Sequence, residues 1–185
     1  MALTKTPVCD FGKKAEDFKL KSIENKIISL NDVKGEKATL IMFICNHCPY
    51  VKAIIRDLAK DCNELKKDGI NSVAIMSNDT KNYPEDSFDN MIKFAKTNNF
   101  GEINYLIDET QEIARKYGAV CTPDFFGYNK KLKLEYRGRF RELKDLKPVS
   151  GGDSDLKIAM KMISETQAGP KEQIPSMGCN IKWFN

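Results

Sequence analysis

The sequence predicts an α/β domain with a mixed central sheet flanked by helices and an N-terminal β-hairpin extension. Three observations carry this. Strongly apolar runs of strand length at 38–44 and 70–76 alternate with segments of helical period, and strand–helix alternation calls for crossover connections and parallel pairing. Two short alternating segments, Asp17 to Leu20 and Lys26 to Ser29, flank Glu24-Asn25 and predict the hairpin. Two further runs, 125–128 and 132–136, surround the turn Asn129-Lys130-Lys131 and predict an antiparallel pair, which makes the sheet mixed.

The elements follow in order. Residues 1–16 form a lead-in, and Ser29 to Asp32 a turn. Gly35 breaks the chain before the buried strand at 38–44. A helix is expected from Pro49 to Lys67, with Val51, Ile54, Ile55, Leu58, Cys62 and Leu65 on its apolar face and Asp68-Gly69 as its stop. After the strand at 70–76, Tyr83-Pro84-Glu85-Asp86 reads as a helix start, with proline and acids in the first turn. Phe88, Met91, Ile92 and Ala95 supply that helix's apolar face. A strand is expected at 103–107. Thr110 is expected to cap a short helix that Gly118 closes. Residues 138–153 read as a basic loop, and 155–166 as a last helix using Leu156, Ile158, Ala159, Met162 and Ile163. The tail, 167–185, is placed outside the core. The whole chain, 1–185, reads as a single domain.

The composition narrows the function classes. The chain has 185 residues, with 30 Lys and Arg against 26 Asp and Glu, for a net charge of +4. That balance gives no reason to propose nucleic acid as a partner. No run approaches the ~20 apolar residues of a membrane span, and the first residues lack the apolar core of a signal peptide. A cytoplasmic location is therefore expected. Six cysteines in a reducing compartment argue against a disulfide scaffold. A Cys-x-x-Cys beside a βα pattern reads instead as redox or metal chemistry.

That pattern is Cys45-Asn46-His47-Cys48-Pro49-Tyr50-Val51, at the corner between the apolar run ending at Ile44 and the helix that follows. The first turn of a helix has unpaired N–H groups and partial positive charge. Both favour a sulfur anion, and the thiolate is the nucleophilic form. The expected chemistry is thiol–disulfide exchange.

The element order, with Cys-x-x-Cys after a buried strand, resembles the thioredoxin fold over residues 11–166. The segments Phe11 to Leu20, Ile28 to Gly35 and Asp108 to Val120, followed by Thr122-Pro123, resemble the alkyl hydroperoxide reductase/thiol-specific antioxidant family, the peroxiredoxin-like branch of that fold. The resemblance implies that Pro123 is cis and that its loop faces the dithiol. It also marks departures. If Cys48 takes the peroxidatic place in Pro-x-x-x-Thr-x-x-Cys, Cys45 stands at the Thr position and Ile41 at the Pro position. The place of the peroxide-polarising arginine falls near Pro123. The chain looks like a peroxiredoxin scaffold carrying a thioredoxin-like dithiol.

Two registers are open. If Cys45 heads the helix, Cys-Asn-His-Cys resembles the Cys-x-His-Cys of disulfide isomerases. If Cys48 heads it, Pro49 falls at the first helical position, where proline is tolerated; in a helix interior it costs about 3 kcal/mol. Lys52 then matches the thioredoxin Cys-x-x-Cys-Lys. The second register is preferred. Cys48 is the expected nucleophile, Cys45 the resolving partner, and protonated His47 a further support for the thiolate. Pro49, Thr122, Pro123 and Cys121 are expected beside the substrate, with the Thr122-Pro123 backbone aligning it as an added strand.

Cys62 lies on the apolar stripe, ~21 Å along the helix from Cys48, and reads as core. Cys121 is either a core residue or a third sulfur at the site. Cys9 and Cys179 read as thiols in the tails, although a mobile tail brings Cys179 within range of the site. Arg137, Arg139 and Arg141 read as a solvated basic strip, and Trp183-Phe184 as packing back on the domain. The expected partners are protein or small-molecule disulfides and an upstream thiol reductant, with no cofactor and no metal. No face declares an oligomer. Two alternatives stand beside this reading: a thiol peroxidase, and a metal-binding or redox-sensing module using Cys45, His47, Cys48 and Cys121.

Overall fold

The structure is a computed structural model that describes residues 3–7 and 9–184. Positions 1, 2 and 8 of the lead-in and position 185 of the tail lie outside the described residues. The strands are β1 (Leu3–Lys5), β2 (Lys19–Ser22), β3 (Ile27–Ser29), β4 (Ala38–Phe43), β5 (Ile70–Met76), β6 (Asn104–Ile107), β7 (Cys121–Thr122), β8 (Asp124–Asn129), β9 (Leu134–Tyr136), β10 (Leu143–Lys144), β11 (Lys147–Pro148) and β12 (Met177–Asn180). The helices are α1 (Leu30–Val33), α2 (Pro49–Lys67), α3 (Phe88–Thr97), α4 (Glu112–Tyr117) and α5 (Asp155–Thr166). Seven strands form the central sheet in the order β3-β2-β6-β5-β4-β8-β9. The pairs β4/β5 and β5/β6 are parallel, and the pairings outside them are antiparallel, so the sheet is mixed as predicted.

Alternation along β4 divides the core in two. Leu40, Met42 and Ile44 face α2 and α5, where Val51, Leu58, Leu156 and Met160 meet them. Ile41 and Phe43 face the other way, toward Ile113, Tyr117 and Phe126. Every residue of β4 is buried, because a strand inside the sheet, between β5 and β8, is covered on both faces. This is why the run reads as continuously apolar.

The buried strands and α2 stand where the sequence puts them, and the hairpin forms with its first strand two residues later than expected, at Lys19–Ser22. Four details differ for physical reasons. The Pro84–Asp86 segment is a single 3-10 turn, and α3 begins after extended Ser87; the Asp86 carboxylate is engaged elsewhere, as described below. Thr110 is not the cap of α4. Gln111 takes that place at φ 62°, with its side-chain amide donating to the Ser77 and Lys182 carbonyls at 2.7 and 2.8 Å. On α5 the buried face is Leu156, Ala159, Met160 and Ile163, leaving Ile158 and Met162 exposed. This rotation lets Lys157 reach Glu64 and Asp153 at 2.6 and 2.8 Å. On α3 the buried residues are Met91 and Ala95, with Ile92 exposed.

The largest difference concerns the ends of the chain. The tail is not outside the core. Its strand β12 lies between β1 and β7 in a second, three-stranded sheet. Cys179 and Ile181 belong to the two buried clusters. The lead-in contributes β1 to the same sheet. Trp183 packs back as expected, with the Arg115 guanidinium 4.3 Å over its ring.

Candidate active site

The Cys45–Cys48 loop forms because β4 ends before α2 can begin. The last sheet-like bond runs from the Ile44 N–H to the Ile75 carbonyl at 3.0 Å. Pro49 then occupies the first helical position and Cys48 is the N-cap, at φ −62° and ψ 123°. Proline loses nothing there, since that N–H has no intrahelical partner. The Cys48 side chain thus stands at the open end of a 19-residue helix, and the Val51 N–H stabilises its sulfur.

Three sulfurs meet at this point. Cys48 Sγ lies 3.1 Å from Cys179 Sγ, and as a thiol it also donates to the Thr122 carbonyl at 3.1 Å. Cys45 Sγ lies 3.3 Å from Thr122 Oγ1, and Cys45 and Cys48 shift each other's ionisation in opposite directions. The Thr122–Pro123 bond is cis, as the resemblance implied. None of the six cysteines forms a disulfide. Hydrogen bonding from Cys45 outweighs burial and, with help from Cys179, brings Cys48 down to about 5. The same bond, joined by burial, pushes Cys45 well above the ordinary thiol value. Burial and the neighbouring Cys48 push Cys179 up to about 12. Of the three, Cys48 is the sulfur whose ionisation the site favours.

A buried carboxylate shapes the loop. Asp86 accepts the Asn46 and His47 backbone N–H groups at 2.8 and 3.3 Å and the Asn78 amide at 2.8 Å. His47 Nδ1 sits 2.7 Å from its second oxygen, and the imidazole stacks on Tyr83 with an interplanar angle of 10°. The Asp86 bond raises His47. Burial works to raise Asp86, but the bonds from His47 and Asn78 hold it below the usual carboxylate value. Tyr105 Oη donates to Asn46 Oδ1 at 2.9 Å and fixes the remaining side chain of the loop.

The structure brings Cys45, Cys48, Pro49, Thr122 and Pro123 together, with His47 tied to the loop. Cys121 lies next to them in β7, but its thiol donates to the Pro123 carbonyl at 3.5 Å. Among the described residues it makes no hydrogen bond to Cys45 or Cys48. Burial pushes it above the ordinary thiol value. Cys62 is core, as read. Arg137 departs from the solvated strip: it is buried, reaching Asp124 with Nη2 at 2.9 Å and Nε at 3.3 Å. Sequence reasoning missed Asp86, Asn46, Asn78 and Tyr105, and it left Cys179 in the tail. Cys45, His47 and Asp86 hold ligand-type atoms within 4.8 Å of one another. The His47–Asp86 hydrogen bond accounts for much of that closeness.

The site is closed in this state. Cys45 is 1 % exposed, Cys48 0 % and Cys179 3 %, because β12 covers the edge of β7. Beside it a groove of about 410 Å³ runs past Tyr50, Pro123, Ser176 and Met177, with Arg139 and Arg141 also lining it.

A depressed thiol at a helix N-terminus, facing a cis-proline strand beside a mixed sheet, defines a thioredoxin-fold redoxin, an oxidoreductase in kind. The chain belongs to the AhpC/TSA family, whose pattern matches residues 11–139. Along its whole length it is similar to a solved structure of an uncharacterized conserved protein from Geobacillus kaustophilus: 39 % identity, TM-score 0.94, covering 100 % of this chain and 97 % of that one. It is also similar to a hypothetical protein from Sinorhizobium meliloti 1021: 35 % identity, TM-score 0.90, covering 98 % of each. The thioredoxin domain of a thiol-disulfide oxidoreductase from Bacteroides vulgatus shares the fold, at 18 % identity and TM-score 0.59 over 70 % of this chain and 89 % of that one. No curated protein matches the chain.

Proposed function

We propose that the protein is a thiol–disulfide oxidoreductase working through Cys48 and Cys45. The observation that carries this is the Cys48 sulfur at the N-cap of α2, 3.1 Å from the Thr122 carbonyl of the cis-proline segment, where its ionisation is favoured. The Cys48 thiolate attacks one sulfur of a substrate disulfide. The substrate S–S bond breaks, a mixed disulfide forms, and the leaving thiolate takes a proton from solvent. Cys45 then loses its proton and attacks the Cys48 sulfur. A Cys45–Cys48 disulfide forms and the second substrate thiol leaves. An upstream dithiol returns the pair to its reduced state.

The Cys45 pKa supports this order. Its largest elevating cause is the hydrogen bond to Cys48. When Cys48 becomes part of a mixed disulfide, its anionic acceptor is gone. Cys45 then ionises more easily, at the moment when it is needed as a nucleophile. Thr122 Oγ1, 3.3 Å away, favours that anion. The substrate strand lies along β7, with the Thr122 backbone as its partner, and access requires β12 to leave that edge.

The test is insulin reduction by dithiothreitol, followed as turbidity. Wild type accelerates precipitation and Cys48→Ser does not. A wild-type rate equal to the uncatalysed background, with a reductase supplied as well, would sink the reading. Peroxide consumption dependent on Cys48 would move the assignment to peroxidase. Stoichiometric metal in protein purified without chelator would move it to the Cys45–His47–Asp86 cluster.

A further inference from the structure

The tail strand occupies the place that the exchange reaction assigns to a substrate. Strand β12 pairs antiparallel with β7, setting Cys179 opposite Thr122 and Asn180 opposite Cys121. A cysteine of the chain itself is thereby presented to the nucleophile, with the two sulfurs 3.1 Å apart. We propose that Cys179 is a third redox-active thiol: β12 acts as a built-in substrate strand that delivers Cys179 to Cys48, and a Cys48–Cys179 disulfide forms during turnover. The inference rests on the oxidoreductase reading and extends it.

The approach is built into the strand. A Cβ on Gly178 would stand 2.0 Å from the Thr122 carbonyl oxygen and 3.1 Å from the Pro123 ring. Glycine at that position is what allows β12 to lie against the cis-proline segment. On its other edge β12 is held by β1, with Leu3 opposite Cys179. Ser176 Oγ donates to the Pro123 carbonyl at 2.8 Å, and the Lys182 N–H donates to Asn78 Oδ1 at 2.9 Å. The strand is fixed on both sides of Cys179, so the sulfur is aimed rather than dangling. Closing 3.1 Å to the ~2.05 Å of an S–S bond needs a movement of about 1 Å.

The chemistry balances without a new reagent. With β12 lifted, the Cys48 thiolate attacks the substrate disulfide and releases the first substrate thiol. As β12 returns, Cys179 loses its proton and attacks the Cys48 sulfur. The second substrate thiol leaves, and a Cys48–Cys179 disulfide remains. Cys45 then attacks the Cys48 sulfur, giving the Cys45–Cys48 disulfide and restoring the Cys179 thiol. Two electrons pass from the protein to the substrate, and Cys179 is regenerated.

The experiment uses the full chain with Cys45→Ser, treated with one equivalent of 4,4′-dithiodipyridine and mapped by mass spectrometry after trypsin without reductant. The expected product is a cross-link between the peptides 38–52 and 172–182, with the pyridyl adduct on Cys48 lost. In Cys45→Ser with Cys179→Ala the adduct persists. Thermal unfolding of the double variant establishes that it folds, and Cys179→Ser replaces Cys179→Ala if it does not. A stable pyridyl adduct on Cys48 in Cys45→Ser, with no cross-link, overturns the role of Cys179 and leaves the oxidoreductase reading intact. A Cys48 that takes no adduct overturns both.

Discussion

Asp86 places a buried carboxylate 2.7 Å from the ring of His47, across 39 residues of chain. The same oxygens accept two backbone N–H groups of the Cys45–Cys48 loop and the Asn78 amide. The loop is therefore wrapped around an anion. Removing one member of a buried ion pair costs about 3–5 kcal/mol, because the donors left behind are desolvated and unsatisfied. Asp86→Ala is expected to destabilise by that order in chemical denaturation. His47 is the only histidine, so its ring proton resonances report it alone. They are expected to titrate above the ordinary imidazole value and to fall back in Asp86→Asn. The signs are opposite for the two partners. Raised His47 favours the fold below its unfolded-state pKa, and this is lost as pH rises through its folded value. Depressed Asp86 favours the fold above the ordinary carboxylate value, and this is lost as pH falls through its folded value. A His47 that titrates identically in wild type and Asp86→Asn would refute the pairing.

The charge on Cys48 predicts a pH profile. The rate of alkylation by iodoacetamide, read on the Cys48 peptide, is expected to rise with a midpoint near 5. Cys45 is the largest cause of that depression, so Cys45→Ser should move the midpoint upward while leaving a reactive thiol. Cys48→Ser should abolish the fast-reacting thiol. If instead Cys45→Ser removes it and Cys48→Ser leaves it, the nucleophile is Cys45 and the helix register has been assigned the wrong role.

Gly178 sets how tightly the site closes. The side chain of alanine there meets the Thr122 carbonyl at 2.0 Å, and backbone cannot move aside as a flexible side chain can. Overpacking of this kind costs about 1–3 kcal/mol. Gly178→Ala is expected to lower the melting temperature and to push β12 off β7. The Cys48 alkylation rate should then rise at neutral and alkaline pH, where the sulfur stays ionised without Cys179 and burial limits access in wild type. A destabilised Gly178→Ala protein with unchanged alkylation would mean that β12 is not the barrier.

Which of these features the sequence announces depends on how local they are. The N-cap register is legible because Pro49 restricts one turn of helix by itself. The buried strands are legible because β4 is covered on both faces and shows an uninterrupted apolar run. The role of Asp86 is not, since an acid after proline satisfies the rules for a helix start equally well, and only the folded chain brings it to His47. Cys179 is hidden for the same reason. Its strand is four residues long, Met177–Asn180, with two small or polar members. Its partners lie at the far N-terminus and at β7, so no periodicity marks it. The one local signal is Gly178 immediately before the cysteine, which permits a close backbone approach without saying to what.

Arg137 and Asp124 make the last prediction. Asp124 follows Pro123 directly, is fully buried, and receives the guanidinium at 2.9 and 3.3 Å and the Val120 N–H at 3.2 Å. The guanidinium also donates to the Gly118 carbonyl at 2.8 Å and lies 4.5 Å over the Phe126 ring. The pair anchors the exit of the cis-proline segment to β9 and the loop after it. Burial raises Asp124 despite the arginine, so its contribution favours folding below the unfolded carboxylate pKa and fades as pH rises through the folded value. Arg137→Met removes the main counter-charge and raises that folded value further. The variant is expected to lose about 3–5 kcal/mol near neutral pH. It should lose less at acidic pH, where Asp124 takes up a proton. Arg137→Lys should recover only part, because a point charge cannot replace the planar fork. Arg137→Met with Asp124→Asn should recover more, since no buried charge is left uncompensated. Urea denaturation of the three variants at the two pH values reads all of this. An Arg137→Met deficit that is independent of pH would show that the arginine acts through packing on Phe126 rather than through the carboxylate.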